Sequence, residues 1–387
     1  MGQKRQGTNN ITEVKKKERV KIYRAYDYSL LFLTIFFVCF GLVMIYSTSS
    51  YNATKYYNDP TLFLRKQLIF AVLGVIVMII VSKIDYHIYI RPILGIRPVT
   101  LLYFLCVALQ ILVIVIGEDI NGAKRWIEIP GIGSFQPSEL TKICIVLFTA
   151  FMANCGPSRL NSFFGFLNLA FRVLPLLGLV VAENLSTAIV LAGIFVVICF
   201  VTSRKKGYFF VVGGLLIGLV AVFIMTSGFR GDRIDAWLNV ETHPKGYQTL
   251  QGLYAIASGG LLGKGLGNSI QKLGFIPESH NDMIFSVICE ELGLIGATAI
   301  ICLFLLLLWR LYVIAVNAPD LFGSLIAVGV MTHIAVQVII NVAVVTNTIP
   351  STGIPLPFIS YGGSSLMALL LEMGIALSVS NRIEYSE

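Results

Sequence analysis

The stretch DMIFSVICEELGLIGATAIICLFLLLLW, Asp282–Trp309, decides the fold. As an α-helix it is ~42 Å long at 1.5 Å per residue, enough to cross a hydrocarbon core of ~30 Å. In lipid every backbone amide must be satisfied inside its own helix or a closed barrel. A run this long and continuous does not suit a barrel strand. Working outward from it, further apolar runs lie at 29–48, 67–83, 98–116, 138–154, 163–181, 185–202, 207–226, 320–345 and 363–380. The expected fold is all-α: a polytopic integral membrane protein of about ten transmembrane helices, with a large outer loop between spans seven and eight. Only the run at 163–181 is interrupted by an arginine, Arg172.

Composition agrees. The 387 residues are 56% hydrophobic and 13% charged, with mean hydropathy +0.81, where a soluble chain carries about 25% charge. The first 28 residues are polar, and the first apolar run is too long for a signal-peptide core, so it is read as a retained span. The expected organisation is a basic tail at 1–28, a membrane domain at 29–380 with an outer loop at 227–281, and a short tail at 381–387.

Charge sets the expected orientation. Lys4, Arg5, Lys15, Lys16, Lys17, Arg19, Lys21 and Arg24 precede the first span, which puts that segment in the cytoplasm. Alternation then brings Lys83, Arg91, Arg97, Arg159, Arg204, Lys205, Lys206, Arg310 and Arg382 to the same side, with both termini cytoplasmic. The loop 227–281 breaks the pattern with Arg230, Arg233, Lys245, Lys264 and Lys272. Either a long loop translocates despite its charge, or these cations form an outer anion site. The net charge of +8 is explained by flanks facing anionic lipid, so no nucleic-acid partner is expected. The seven cysteines lie in or beside spans, which predicts neither disulfides nor a CxxC metal site. No internal repeat of the kind that builds transporters is visible.

Ionisable residues inside a membrane are costly and mark function by default. Four regions concentrate them. NGAKRWI (121–127) is followed by QPSELTK (136–142). Pro137 and Ser138 start a helix, Glu139 suits its first turn, and Lys142 shares a face with it. The two form a local ion pair with Lys142 snorkelling outward, while Lys124 and Arg125, beside Trp126 at the outer interface, have the chemistry to grip a lipid head group. In the outer loop, FRGDR (229–233) offers paired cations, and YQTLQGLY (247–254) reads as an interfacial helix carrying Gln248. GGLLGKGLG (259–267) is one residue short of a P-loop, and Gly265 stands where Ser or Thr would bind magnesium. Its amides and Lys264 still have the chemistry to meet phosphate.

In the third region, Ser279 and Asp282 resemble a capping box at the start of the span. Glu290 and Glu291 lie two turns deeper and need partners. Lys142 reads as the only lysine deep enough to serve. In the fourth, TNTIPSTGIPLPFISYGGSS (346–365) places three prolines within 350–357, which no helix interior tolerates. It reads as a re-entrant segment, with Ser360 inside it and Ser364 where helix amides could receive an anion.

Together GLVMIYSTSS (41–50), NGAKRWI with QPSELTK, GYQTLQGLYAIASGGLLGKGLGNS (246–269), HNDMIFSVICEELGLIG (280–296) and GIPLPFISYGGSS (353–365) resemble the SEDS family of bacterial cell-wall polymerases, which contains FtsW, RodA and SpoVE. The motifs follow the family's order from first span to last, and the tone is FtsW-like, closer to division and sporulation members than to the elongation member. There are departures. ENLST (183–187) has Asn184 where an Asp is common, WLNV (237–240) lacks a usual proline, and Asn347 and Ser351 replace more typical residues.

The resemblance implies a peptidoglycan glycosyltransferase that polymerises lipid II, a disaccharide-pentapeptide on undecaprenyl pyrophosphate, in the bacterial plasma membrane. It implies Asp282 as catalytic base. Arg125, Lys142, Arg230, Arg233, Lys245, Gln248, Lys264, Ser360 and Ser364 are the expected substrate-binding set, with Glu139 and Glu290 as ion-pair residues. No cofactor is certain; a divalent cation, Mg or Mn, held by Asp282 and pyrophosphate oxygens fits the chemistry. A class B penicillin-binding protein is the implied partner, beside other divisome or elongasome membrane proteins. A lipid II flippase would use the same cations without a base, and a division scaffold would need neither.

Overall fold

The computed structural model describes residues 22–24, 26–93, 95–120, 123–129, 133–214, 218 and 228–386. Among them nine helices are long and apolar enough to cross a membrane. They are α1 (Tyr28–Tyr57), α2 (Leu62–Lys83), α3 (Pro98–Ile116), α4 (Pro137–Cys155), α5 (Phe163–Glu183), α6 (Leu185–Thr202), α9 (Ile284–Asn317), α10 (Leu321–Val345) and α11 (Gly363–Ser380). Between α6 and α9 lie two shorter helices, α7 (Gly228–Leu238) and α8 (Tyr247–Gly259). The expected span at 207–226 is helical at 207–214; apart from 218, the rest of it lies outside the described residues, as does most of the basic tail.

The helices sort by burial. In α4, 78% of the most apolar window is buried, against 22% in α2. The protein therefore places α4, α10 and α11 at its centre and gives α2, α3 and α5 to lipid. That order matches chemistry, because α4 carries Glu139 and Lys142, both buried, and a peripheral helix would leave that pair facing hydrocarbon.

Three features depart from expectation. The fold is mostly helical, but it adds an unexpected three-stranded antiparallel sheet, β2 (Glu118–Ile120), β3 (Ala123–Ile129) and β4 (Gly133–Phe135). A short pair, β1 (Ile22–Arg24) with β5 (Glu384–Ser386), joins the two ends of the chain. The alternation of Ile127, Glu128 and Ile129, hidden beside the helical runs, is the local signal for β3. Second, α1 continues nine residues past its predicted end. The extension starts from a buried polar turn, Ser47, Thr48 and Ser49, where Ser47 donates to Glu291 at 2.7 Å, and Ala53 is buried one turn further on.

Third, α9 is not one straight rod. Gly293 sits at φ 68°, ψ −172°, a left-handed conformation open to glycine. The break receives the glycine-rich loop. The amides of Lys264 and Gly265 donate to the carbonyls of Glu290 and Glu291, both at 2.9 Å, and the amide of Leu294 donates to Gly260 O at 2.9 Å. A Cβ on Gly263 would lie 2.2 Å from Glu291 O. The glycines thus permit backbone-to-backbone contact across a broken span. The amides of Gly263, Lys264 and Gly265 are spent on backbone carbonyls, which corrects the expectation that this part of the loop cradles phosphate. On the face that carries β1 and β5, Arg310 at the far end of α9 clamps Asp27 with an Nη2–Oδ2 distance of 2.7 Å.

Candidate active site

Asp282 lies two residues ahead of α9, half-buried. The capping box does not form: Ser279 Oγ donates to Thr48 O at 3.0 Å, and α9 begins without a side-chain cap. The Asp282 carboxylate instead faces α8, where Gln248 Nε2 donates to Oδ1 at 3.3 Å. Its main chain is pinned from α10, since Asn341 Nδ2 donates to Asp282 O at 2.8 Å and to Ile354 O at 2.9 Å. One amide therefore ties the start of α9 to the proline-rich segment. Ser360 makes a second tie, donating to Asn281 O at 2.7 Å and accepting from Leu356 N at 2.9 Å. Both of its bonds are internal, so the geometry gives Ser360 the task of shaping the loop. Burial, with Glu278 adding its charge, raises the Asp282 carboxyl to about 6 against the Gln248 hydrogen bond. Burial also holds the His280 imidazole below its usual value.

A cavity of about 120 Å³ is lined by Arg233, Ala236, Trp237, Lys245, Thr249, Asn347 and Ser351. Its walls are α7, α8 and the proline-rich segment, and the last two also flank Asp282. Trp237 Nε1 donates to Asn347 O at 2.9 Å and Arg233 Nη1 to Ser351 O at 3.3 Å. Three positions in the stretches where the sequence departs from its resemblance, Trp237, Asn347 and Ser351, thus line one cavity. Arg230 belongs to α7, but its side chain lies outside the described residues.

The remaining candidates are elsewhere. Lys264 Nζ is 2.7 Å from Glu290, which also accepts from Ser258 and Ser269 and from the amides of Ile270 and Gln271. Lys272 Nζ is 2.7 Å from Glu291 and donates to Ser47. These two lysines correct the expectation that Lys142 alone reaches deep enough. Lys142 pairs with Glu139 at 2.9 Å. Arg125 on β3 donates to Glu183 O at 3.0 Å, at the junction of α5 and α6. Asn184 caps α6 through the amides of Ser186 and Thr187. Ser364 stands in the first turn of α11, whose preceding amide, Gly362 N, donates to Gln67 at 3.1 Å. Among the described residues no group of three or more His, Cys, Asp or Glu gathers to hold a metal.

The model of a family described as cell cycle protein, FtsW/RodA/SpoVE, matches residues 28–385. The chain belongs to this family. It is 38% identical over 361 residues to a Trichlorobacter lovleyi protein named probable peptidoglycan glycosyltransferase FtsW, covering 92% of this chain and 93% of that one. It is 39% identical over 377 residues to stage V sporulation protein E of Bacillus subtilis, covering 93% and 98%. A solved structure described as a peptidoglycan synthase complex coordinating polymerization and crosslinking contains a chain of the same fold, with TM-score 0.76, 28% identity and coverage of 93% and 99%. Thermus thermophilus rod shape determining protein RodA gives TM-score 0.67 at 28% identity, covering 93% and 98%.

Within this FtsW/RodA/SpoVE chain, sequence reasoning missed residues that act through distance. Asn341 was hidden in an apolar helix, although its spacing of four and eight from Gln337 and His333 marks one polar stripe. His333 and Glu372, 2.6 Å apart and buried between α10 and α11, are the far end of that stripe. Lys272 carried only the signal of a positive charge in a loop.

Proposed function

We propose that the chain polymerises lipid II into glycan strands, with Asp282 as general base and the cavity of Arg233 and Lys245 as the pyrophosphate site. The 4-hydroxyl of one GlcNAc attacks the anomeric carbon of the MurNAc at the lipid-linked end of the growing strand. The new C–O bond forms as the bond to pyrophosphate breaks, so an α-linkage becomes β. Asp282 takes the hydroxyl proton, and the lipid pyrophosphate leaves with the bonding electrons. Two things are asked of the protein, a carboxylate for the proton and cations for the departing charge. The observation that carries the proposal is their sharing of walls: α8 and the proline-rich segment flank both Asp282 and the cation-lined cavity.

Of the five cations in the loop, Lys264 and Lys272 answer Glu290 and Glu291. We assign Arg230, Arg233 and Lys245 to the leaving group, because Arg233 and Lys245 line the cavity and Arg230 lies one turn from Arg233 on α7. A divalent cation, Mg or Mn, would be held by Asp282 together with substrate phosphate, as magnesium takes one or two carboxylates plus substrate phosphates, and would supply charge neutralisation for the leaving group.

The base has a pH signature. Because burial raises Asp282 to about 6, the ionised base is depleted as the pH falls through that value. The acid limb of kcat/KM should have its midpoint near pH 6. Gln248→Met removes a donor to the carboxylate and should move the limb to higher pH. An acid limb identical in wild type and Gln248→Met would remove Asp282 as the titrating base.

The chain is a multi-pass membrane protein; we place it in the bacterial plasma membrane with both termini cytoplasmic. The β1–β5 pairing supports an even number of crossings, and the Lys/Arg distribution supports the orientation. A single cysteine introduced within 240–245 should react with an impermeant reagent in intact cells, and one within 204–206 should not; the reverse pattern would refute the orientation. A class B penicillin-binding protein is the proposed partner, since the related chain comes from a complex that joins polymerization to crosslinking. Divisome or elongasome proteins would complete the assembly.

A further inference from the structure

The first half of α5 carries a cost that catalysis on the opposite face does not explain. Arg172 is the tenth residue of this apolar helix and lies on its lipid-facing side, where Phe164 is 81% and Phe171 77% exposed. An arginine facing hydrocarbon within a span costs several kcal/mol unless it snorkels or finds an anion. Side chains on a helix lean toward its N-terminus, and Arg172 follows that rule. It shares a small cavity of about 30 Å³ with Arg159, Gly165 and Asn168 at the end where α5 begins. Phe164, Asn168 and Arg172 are spaced by four residues, so the two polar side chains form a notch in the lipid-facing stripe.

Among the described residues no carboxylate answers this charge. The sequence has no Asp or Glu from 140 to 182 or from 184 to 231. Glu183, at the other end of α5, is ~16 Å of helix away. Among the described residues no ion pair reaches Arg159 or Arg172. More cations arrive instead. The amide of Arg204 donates to Asn161 at 2.8 Å and Tyr208 donates its hydroxyl to Leu160 O. The 203–208 segment is thereby stitched to the one bearing Arg159. Arg97 sits over the Phe151 ring at 5.0 Å, next to the cavity wall at Met152. The positive end of the α5 dipole adds to the same sign.

We infer that the Arg159–Arg172 notch binds the phosphate of an anionic phospholipid headgroup, in the leaflet on the side of β1 and β5. The cavity admits the leading phosphate oxygens, the guanidinium forks grip them, and the acyl chains lie along Phe164 and Phe171. Basic pockets between spans on the cytoplasmic side are suited to such head groups. Positive-inside topology accounts for Arg159 and Arg204 at a loop, but not for an arginine ten residues inside a span.

The test is native mass spectrometry of the full chain in detergent, titrated with phosphatidylglycerol, phosphatidylcholine or undecaprenyl phosphate. Wild type should hold one phosphatidylglycerol more tightly than phosphatidylcholine. Arg159→Gln and Arg172→Gln should each weaken that binding about fivefold, and the double variant more than either. Arg172→Lys keeps the charge but loses the fork, so it should fall between wild type and Arg172→Gln. Arg159→Gln and Arg172→Lys carry the test if Arg172→Gln does not survive purification. Equal binding by wild type and variants would overturn the inference. So would arginine-dependent binding of undecaprenyl phosphate with phosphatidylglycerol no better than phosphatidylcholine, which would assign the notch to the carrier lipid.

Discussion

Asp282→Asn should purify in normal yield and polymerise lipid II 10²- to 10⁴-fold more slowly, the usual loss for a general base. The amide keeps the shape of the side chain and its contact with Gln248 but takes no proton. Stability separates this from damage to the fold. The folded-state carboxyl is raised to about 6, so its contribution to stability is present at low pH and is lost as the pH rises through that value. Near neutral pH the ionised form is the burdened one, and the neutral amide should be at least as stable as wild type. No cap is lost, because α9 begins without one. An Asp282→Asn protein that retains more than about a tenth of wild-type turnover would show that the proton goes elsewhere.

Lys272→Met should be the most damaging substitution outside the active site. It leaves Glu291, fully buried, without its cation, and breaking one side of a buried pair costs about 3–5 kcal/mol. Ser47 would remain as a donor to Glu291, but a hydroxyl does not neutralise a carboxylate. The double variant Lys272→Met with Glu291→Leu should recover most of the loss, because the uncompensated charge has gone. Fluorescence-detected size exclusion after heating in detergent measures both. A single variant as heat-resistant as wild type would mean that this pair contributes little to holding α1, the segment after the glycine-rich loop and α9 together.

The spans were legible because hydropathy is a local property. Pro98 opens α3 and Pro137 opens α4 within a residue of the predicted boundary, since proline suits a first helical turn whatever surrounds it. Asp282 was legible only through a motif, and the same residues also satisfied a capping box; the contact of Ser279 with Thr48, 231 residues away, separates the two. The glycine-rich loop misled for a related reason. Glycines permit close approach, but spacing does not say whether phosphate or another backbone approaches, and here the Gly293 break is the partner. Two of the outer loop's five cations were explained once Glu290 and Glu291 claimed Lys264 and Lys272. Those pairings are tertiary, and a single sequence holds no distances.

The central claim is that this chain makes glycan strands, and lipid II turnover by the purified protein tests it most directly. Full-length chain in detergent, alone and with a class B penicillin-binding protein, is supplied with labelled lipid II, and products are resolved by gel. The expected result is a ladder of glycan strands, stronger with the partner. Transbilayer movement of lipid II in proteoliposomes with no ladder under either condition would contradict the account and leave a flippase; neither movement nor polymer would leave a scaffold.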